Sequence, residues 1–187
     1  AGTVDKATVR ILQSLISNWK NALVTPEAAR HLATDEHQKL AAHAYLSYEA
    51  TLKAYQAVDF DDLIGLPVKL FSEHPEIADK WQNRLRYLLV DEYQDINGDH
   101  YELISAVAGR KLQTEEDRVC LMVVGDDDQN IYAFDGASVR YIRQFETDYA
   151  ARRYALVENY RSTRHIIDCA NRVIERARER MKARETI

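Results

Sequence analysis

Three stretches of the chain set acids, amides or an arginine directly after a short apolar run. Asp91-Glu92-Tyr93-Gln94-Asp95 follows Arg86-Tyr-Leu-Leu-Val90, and Gly125-Asp126-Asp127-Asp128-Gln129-Asn130-Ile131-Tyr132 follows Val119-Cys-Leu-Met-Val-Val124. The third, Glu158-Asn159-Tyr160-Arg161-Ser162, follows Arg153-Tyr-Ala-Leu-Val157. An aspartate in such a place can hold a hydrated Mg²⁺ on a nucleotide, and a glutamate beside it can take a proton from an attacking water. A glutamine can sense a phosphate, and an arginine can neutralise charge on a phosphoryl group in transit. A single acidic turn of this kind reads equally well as a solvated strand end. Three in succession, with helical patterns between them, indicate one shared edge.

The apolar runs that lead into these turns fit buried parallel strands, and ligands of open α/β sheets bind beyond the carboxyl ends of their strands. The expected fold is therefore α/β, with about three parallel strands. Upstream the pattern is wholly helical. Thr8, Ile11, Leu12, Leu15, Ile16, Trp19 and Leu23 recur at three- and four-residue steps, predicting an amphipathic helix over Val4–Leu23. Thr25-Pro26-Glu27 supplies a cap, a proline at the first helical position and an acid in the first turn, so a short second helix starts there. Thr34-Asp35-Glu36 opens a longer third, marked by Leu40, Ala44, Tyr48, Leu52 and Tyr55. Asp59 is placed to cap a further helix that Pro67 is expected to kink and His74-Pro75 to end, and another short helix surrounds Trp81. Asn97–Arg110 reads as a helix closed near Gly109.

Composition sets the bounds. At 187 residues, 46% hydrophobic and 29% charged, the chain can bury a core and suits one domain, or one domain with a helical appendage. No apolar run approaches the roughly 20 residues of a membrane span and no leader pattern opens the chain, so it reads as a soluble, cytoplasmic protein with no membrane partner. The two cysteines, Cys120 and Cys169, lie in apolar patterns and are expected to be buried free thiols. His31, His37 and His43 are six apart, a spacing that does not share a helix face, which argues against a zinc site. The net charge of −5 is uneven: from Arg161 onward eight basic residues face four acids, so that tail carries +4 and the rest −9.

Taken together, Asp91–Asp95, Gly125–Tyr132 and Glu158–Ser162 resemble, in order and spacing, motifs II, III and IV of the UvrD/Rep-type superfamily-one ATP-dependent DNA helicases. Phe60-Asp-Asp-Leu63 and Trp81-Gln-Asn-Arg84 are similar to that family's approach to motif II. The resemblance runs from about Val58 to Asn171. It implies a partial RecA-like P-loop NTPase domain over residues 58–187, ending in a linker helix, with residues 1–57 as the family's helical insertion. It further implies that Asp91 holds Mg²⁺, Glu92 activates the hydrolytic water and Gln129 contacts the γ-phosphate of ATP. Tyr160 would stack on the base, Arg161 would reach the γ-phosphate, and Tyr132 and Phe134 would form a stacking platform for single-stranded DNA. Read singly, Tyr160 suits a packed strand end and Phe134 a core equally well. The joint pattern favours the functional reading.

Two departures qualify the resemblance. Phe134-Asp135 stands where the family usually has Trp-Arg, so a carboxylate replaces a cation near the DNA backbone. No Gly-Lys pair occurs anywhere in the chain, so the G-x-x-x-x-G-K-[ST] loop that cradles phosphates is missing. The expectation is an interior piece of a helicase, inactive alone, whose partners are single-stranded DNA and the remaining motor domains of its parent. The alternative is a self-standing, non-catalytic module that binds DNA or protein. The last helix, Thr163 to about Ala183, carries Ile166, Ala170, Val173, Ile174, Ala177 and Met181 on one face. Its stripe of Arg172, Arg176, Arg180 and Arg184 reads as a solvated face or hinge more readily than as a DNA contact.

Overall fold

The computed structural model describes residues 5–109, 119–130, 138–176 and 181. Its first part is a helical packet. Helix α1 (Lys6–Asn21) is capped by Asp5, α2 (Pro26–Leu32) by Thr25, whose hydroxyl accepts the Ala28 N–H, and α3 (Glu36–Ala54) by Asp35, which accepts the Gln38 N–H at 2.8 Å. Each cap satisfies an N–H that the first helical turn leaves without an intrahelical acceptor. Ile16, Ala29, Ala42 and Tyr45 form the core of this packet, with Trp19 stacked on Tyr45 at a ring separation of 6.2 Å.

Helix α4 (Asp62–Glu73) runs through Pro67 without interruption, and α5 (Pro75–Gln82) begins at the proline that ends its predecessor. Asp59 caps α4 as expected: its Oδ1 accepts the Asp62 N–H at 2.9 Å, while Asp62 Oδ2 accepts the Asp59 N–H at 3.1 Å. The same two acids also grip a cation from α1. Lys20 Nζ lies 2.8 Å from Asp59, 2.6 Å from Asp62 and 3.0 Å from Glu49 of α3, joining residues on both sides of position 57. Burial works against the Lys20 ammonium, but the hydrogen bonds to Asp59, Asp62 and Glu49 more than offset it, so its pKa lies above the ordinary lysine value. Burial, then the hydrogen bond to Asp59, pushes the Tyr48 phenol up to about 12.

The sheet consists of β1 (Tyr87–Val90) and β2 (Cys120–Val123), paired in parallel with Val90 opposite Val123. Helix α6 (Gly98–Ala108) lies between them in sequence, opened by Asn97, whose side chain accepts the His100 N–H, and closed by Gly109 in the left-handed region at φ 76°. Val90, Leu121 and Val123 pack on a core of Tyr93, Ile96 and Tyr101 with Tyr141 and Phe145 from α7 (Arg140–Asp148). Helix α8 (Arg164–Ile174) follows.

Four expectations need correction. Arg153–Val157 is not a third strand: Tyr154 and Leu156 are more than four-fifths exposed, and no neighbour among the described residues offers it a ladder. Strands β1 and β2 are covered on one face only, and Tyr87, Leu89 and Met122 lie open on the other. Cys120 shares that open face, so it is an exposed thiol, as is Cys169 of α8. Helix α8 ends at Ile174, short of the expected Ala183, and buries none of its described residues, so that Ile166 and Val173 of its apolar stripe are exposed. In each case the apolar pattern is present, but burial depends on what lies against it. Among the described residues, no helix is long and apolar enough to cross a membrane.

Candidate functional site at the strand ends

The chain leaves β1 at Asp91 and turns sharply. Glu92 takes a left-handed conformation, φ 50° and ψ 42°, which costs a residue with a Cβ about 1 kcal/mol. Its N–H is held by Asp91 Oδ1 at 2.9 Å, and its carbonyl accepts the Asp95 N–H at 2.9 Å. A single turn of 3-10 helix over Tyr93–Asp95 follows, and Tyr93 drives it inward. Its ring meets Phe145 of α7 edge-on at 5.5 Å, and its N–H donates to Val124 O at 2.9 Å. The turn is thus anchored from below by an aromatic pair and from the side by β2, while Asp91 and Glu92 remain exposed at the tip.

The end of β2 is built against the same turn. Gly125 passes so close to Gln94 that an added Cβ would stand 3.0 Å from its Oε1 and 3.2 Å from its backbone N, which is a reason for glycine here. Asp126 then donates its N–H to Gln94 Oε1 at 3.0 Å, and the Asn130 side chain donates to Gln94 O at 2.6 Å. Asp126 Oδ1 accepts the Asp128 N–H at 3.0 Å and Oδ2 accepts Gln129 Nε2 at 2.9 Å. Carboxylate oxygens of Asp126, Asp127 and Asp128 lie within 4.8 Å of one another. Asp127 Oδ2 is engaged by the Met181 N–H at 2.5 Å, and Met181 O in turn accepts from Arg153 at 3.0 Å.

Of the residues picked from the sequence, the fold therefore brings Asp91, Glu92 and Gln129 to one edge. It does not join Tyr160 or Arg161 to them by any hydrogen bond or ion pair among the described residues. Tyr160 is 89% exposed, and its hydroxyl donates to Glu158, a bond that raises the phenol's pKa. The Arg161 and Ser162 N–H groups both donate to Asn159 Oδ1, a local turn that shapes this stretch without a sheet beneath it. Tyr132, Phe134 and Asp135 lie outside the described residues, as do Ala177, Arg180 and Arg184 of the expected last helix.

Sequence reasoning passed over Gln94, which is 1% exposed and bonded at both ends of its side chain. A signal was present, since a glutamine between two aromatic or acidic residues in a turn that must be buried needs partners for its amide. Lys20 was also missed. Its acids come from 29 and 39 residues away and farther, beyond the range of local pattern.

Residues 3–150 match the UvrD/REP helicase N-terminal domain. The chain is 44% identical over 171 residues to the ATP-dependent DNA helicase Rep of Escherichia coli, an alignment that covers 91% of this chain and 24% of Rep. It is 43% identical over 185 residues to the ATP-dependent DNA helicase UvrD1 of Mycobacterium tuberculosis, covering 97% of this chain and 24% of that protein. To the ATP-dependent DNA helicase PcrA of Staphylococcus aureus it is 42% identical over 172 residues, 91% of this chain and 23% of PcrA. The chain thus spans about a quarter of the length of the curated relatives it matches.

Proposed function

The chain belongs to the UvrD/REP helicase N-terminal domain family, and on that premise we propose that it is part of an ATP-dependent DNA helicase that couples ATP hydrolysis to movement on single-stranded DNA. Residues 58–187 are the later half of its first RecA-like motor domain, residues 1–57 a helical insertion, and the remaining motor domains of the parent are its partners. Asp91 is the residue for Mg²⁺. Its exposed carboxylate at a strand tip offers hard oxygen, the donor type this ion takes, and Oδ1 is already oriented by the Glu92 N–H. When bound, Mg²⁺ supplies neutralisation of charge on the phosphate oxygens.

Glu92 is the general base that takes the proton from the attacking water. Gln129 is the amide that senses the γ-phosphate, Tyr160 stacks on the base, and Arg161 stabilises charge on the transferred group. Tyr132 and Phe134 stack on DNA bases. The observation that carries this reading is the continuous chain Glu92–Gln94–Asp126–Gln129, which links the two strand ends through hydrogen bonds of 2.6, 3.0 and 2.9 Å. A proton acceptor and a phosphate-sensing amide on one such chain suit phosphoryl transfer to water, because catalysis there consists chiefly of positioning and charge stabilisation.

The test is Glu92→Gln in the intact parent. Hydrolysis in the presence of single-stranded DNA should fall by about 10³-fold, with the KM for ATP and DNA affinity close to wild type. Normal turnover in this variant removes Glu92 from the role.

A further inference from the structure

Gln94 is among the most deeply buried polar side chains described, and both ends of its amide are engaged. Its Oε1 accepts the Asp126 N–H at 3.0 Å. A backbone N–H can only donate, so the amide oxygen must face Asp126 and the NH₂ must face the other way. There Nε2 donates to Glu92 Oε2 at 2.6 Å, a charge-assisted bond to a carboxylate that is otherwise exposed and sits on a left-handed backbone. The Gln94 backbone is clamped as well: Asn130 donates to its carbonyl at 2.6 Å, and Gly125 leaves room for nothing larger beside it.

We infer that Gln94 is a positioning residue, resting on the reading of Glu92 as the base: it fixes the Glu92 carboxylate in space and ties it to the backbone of Asp126, so that the two strand ends hold one geometry. Glutamine is the side chain the position calls for. Glutamate has the same shape but no donor, and would set a second carboxylate against Glu92. Methionine fills similar space but leaves the Asp126 N–H and the Glu92 oxygen without this partner. In the methionine variant Glu92 keeps its chemistry and loses its fixed aim, and in the glutamate variant like-charge repulsion displaces it, so both reduce the rate of the chemical step more than ground-state binding of substrate.

The experiment measures DNA-stimulated ATP hydrolysis by the full-length parent for wild type, Gln94→Met, Gln94→Glu, Glu92→Gln and the double variants, with thermal unfolding as a check on folding. The expected result is a fall in kcat of about 10²-fold for each Gln94 variant, with the KM for ATP within about twofold of wild type. In the Glu92→Gln background, either Gln94 substitution should produce no further loss in single-turnover rate, because its effect passes through Glu92. If Gln94→Met does not fold, the isosteric Gln94→Glu carries the comparison alone. Wild-type kcat in a folded Gln94 variant, a KM effect in place of a kcat effect, or additive losses with Glu92→Gln would each overturn the inference. Those outcomes with an inactive Glu92→Gln leave the proposed base standing, whereas an active Glu92→Gln overturns the base and this inference together.

Discussion

Glu49, Asp59 and Asp62 converge on the buried ammonium of Lys20, whereas Asp91 and Glu92 stand exposed at the end of β1 with no ion pair among the described residues. Both groups are clustered acids beside helix or strand ends. What separates them is a single cation delivered by another helix. Around Lys20 the carboxylate lone pairs are committed to an ammonium, a tyrosine hydroxyl and backbone N–H groups. At the strand ends, the hydrogen bonds orient the carboxylates and leave them facing solvent. Acids engaged from several sides hold helices together, while acids engaged from one side remain available to a ligand.

The comparison breaks most visibly at Lys20. Lys20→Met leaves three carboxylates around an apolar side chain, and unfolding in urea should show a loss of about 3 kcal/mol. If the loss is no larger than that of a surface substitution, the cluster does not hold α1, α3 and α4 together. Gly125→Ala tests the packing beneath the open acids. A Cβ 3.0 Å from Gln94 Oε1 and 3.2 Å from its backbone N crowds the turn, so that Gln94 has to give way slightly, and should cost about 1–2 kcal/mol, read in the same denaturation experiment. Substitution without cost would mean that the two strand ends are not in close contact.

The closed cluster also predicts a pH range. Burial raises the Asp59 pKa, but its hydrogen bonds to Lys20, the Asp62 backbone and Tyr48 outweigh this and hold it below its ordinary 3.8. Its contribution is therefore complete above that value and is lost as pH falls through the lowered pKa of the folded state. Lys20 is shifted above its ordinary 10.5, so its contribution is complete below 10.5 and is lost only as pH rises through the higher folded value. The stability gap between wild type and Lys20→Met should stay level from about pH 4 to 10 and narrow beyond both limits. A gap that changes between pH 5 and 9 would assign it to other groups. The smallest expected effect is at the open site, where Glu92→Gln should alter stability by less than about 0.5 kcal/mol. A larger loss would make Glu92 a structural acid like Asp59.

Much of the local fold was legible before any coordinates. Thr25, Asp59 and Gly109 do the capping and closing assigned to them, because a cap depends on residues within one turn of itself. The paired strands were legible from their apolar runs and polar ends. The third run, Arg153–Val157, has the same pattern and no strand, because a ladder needs a second chain segment that pattern does not announce. For the same reason Leu89, Met122 and Cys120 were expected inside and lie open.

By itself, then, the sequence determined the caps at Thr25 and Asp59, the closure at Gly109, the two strand ends and the identity of the acids at Asp91 and Glu92, since each depends on neighbours a few residues away. Tertiary structure alone decided which acids are enclosed around a cation and which stay exposed. Lys20 reaches Asp59 and Asp62 only when α1 packs beside α4, and Gln94 joins Glu92 to Asp126 only when β2 lies alongside β1. The availability of a carboxylate depends on what stands around it, and that is settled by contacts between segments distant in the chain.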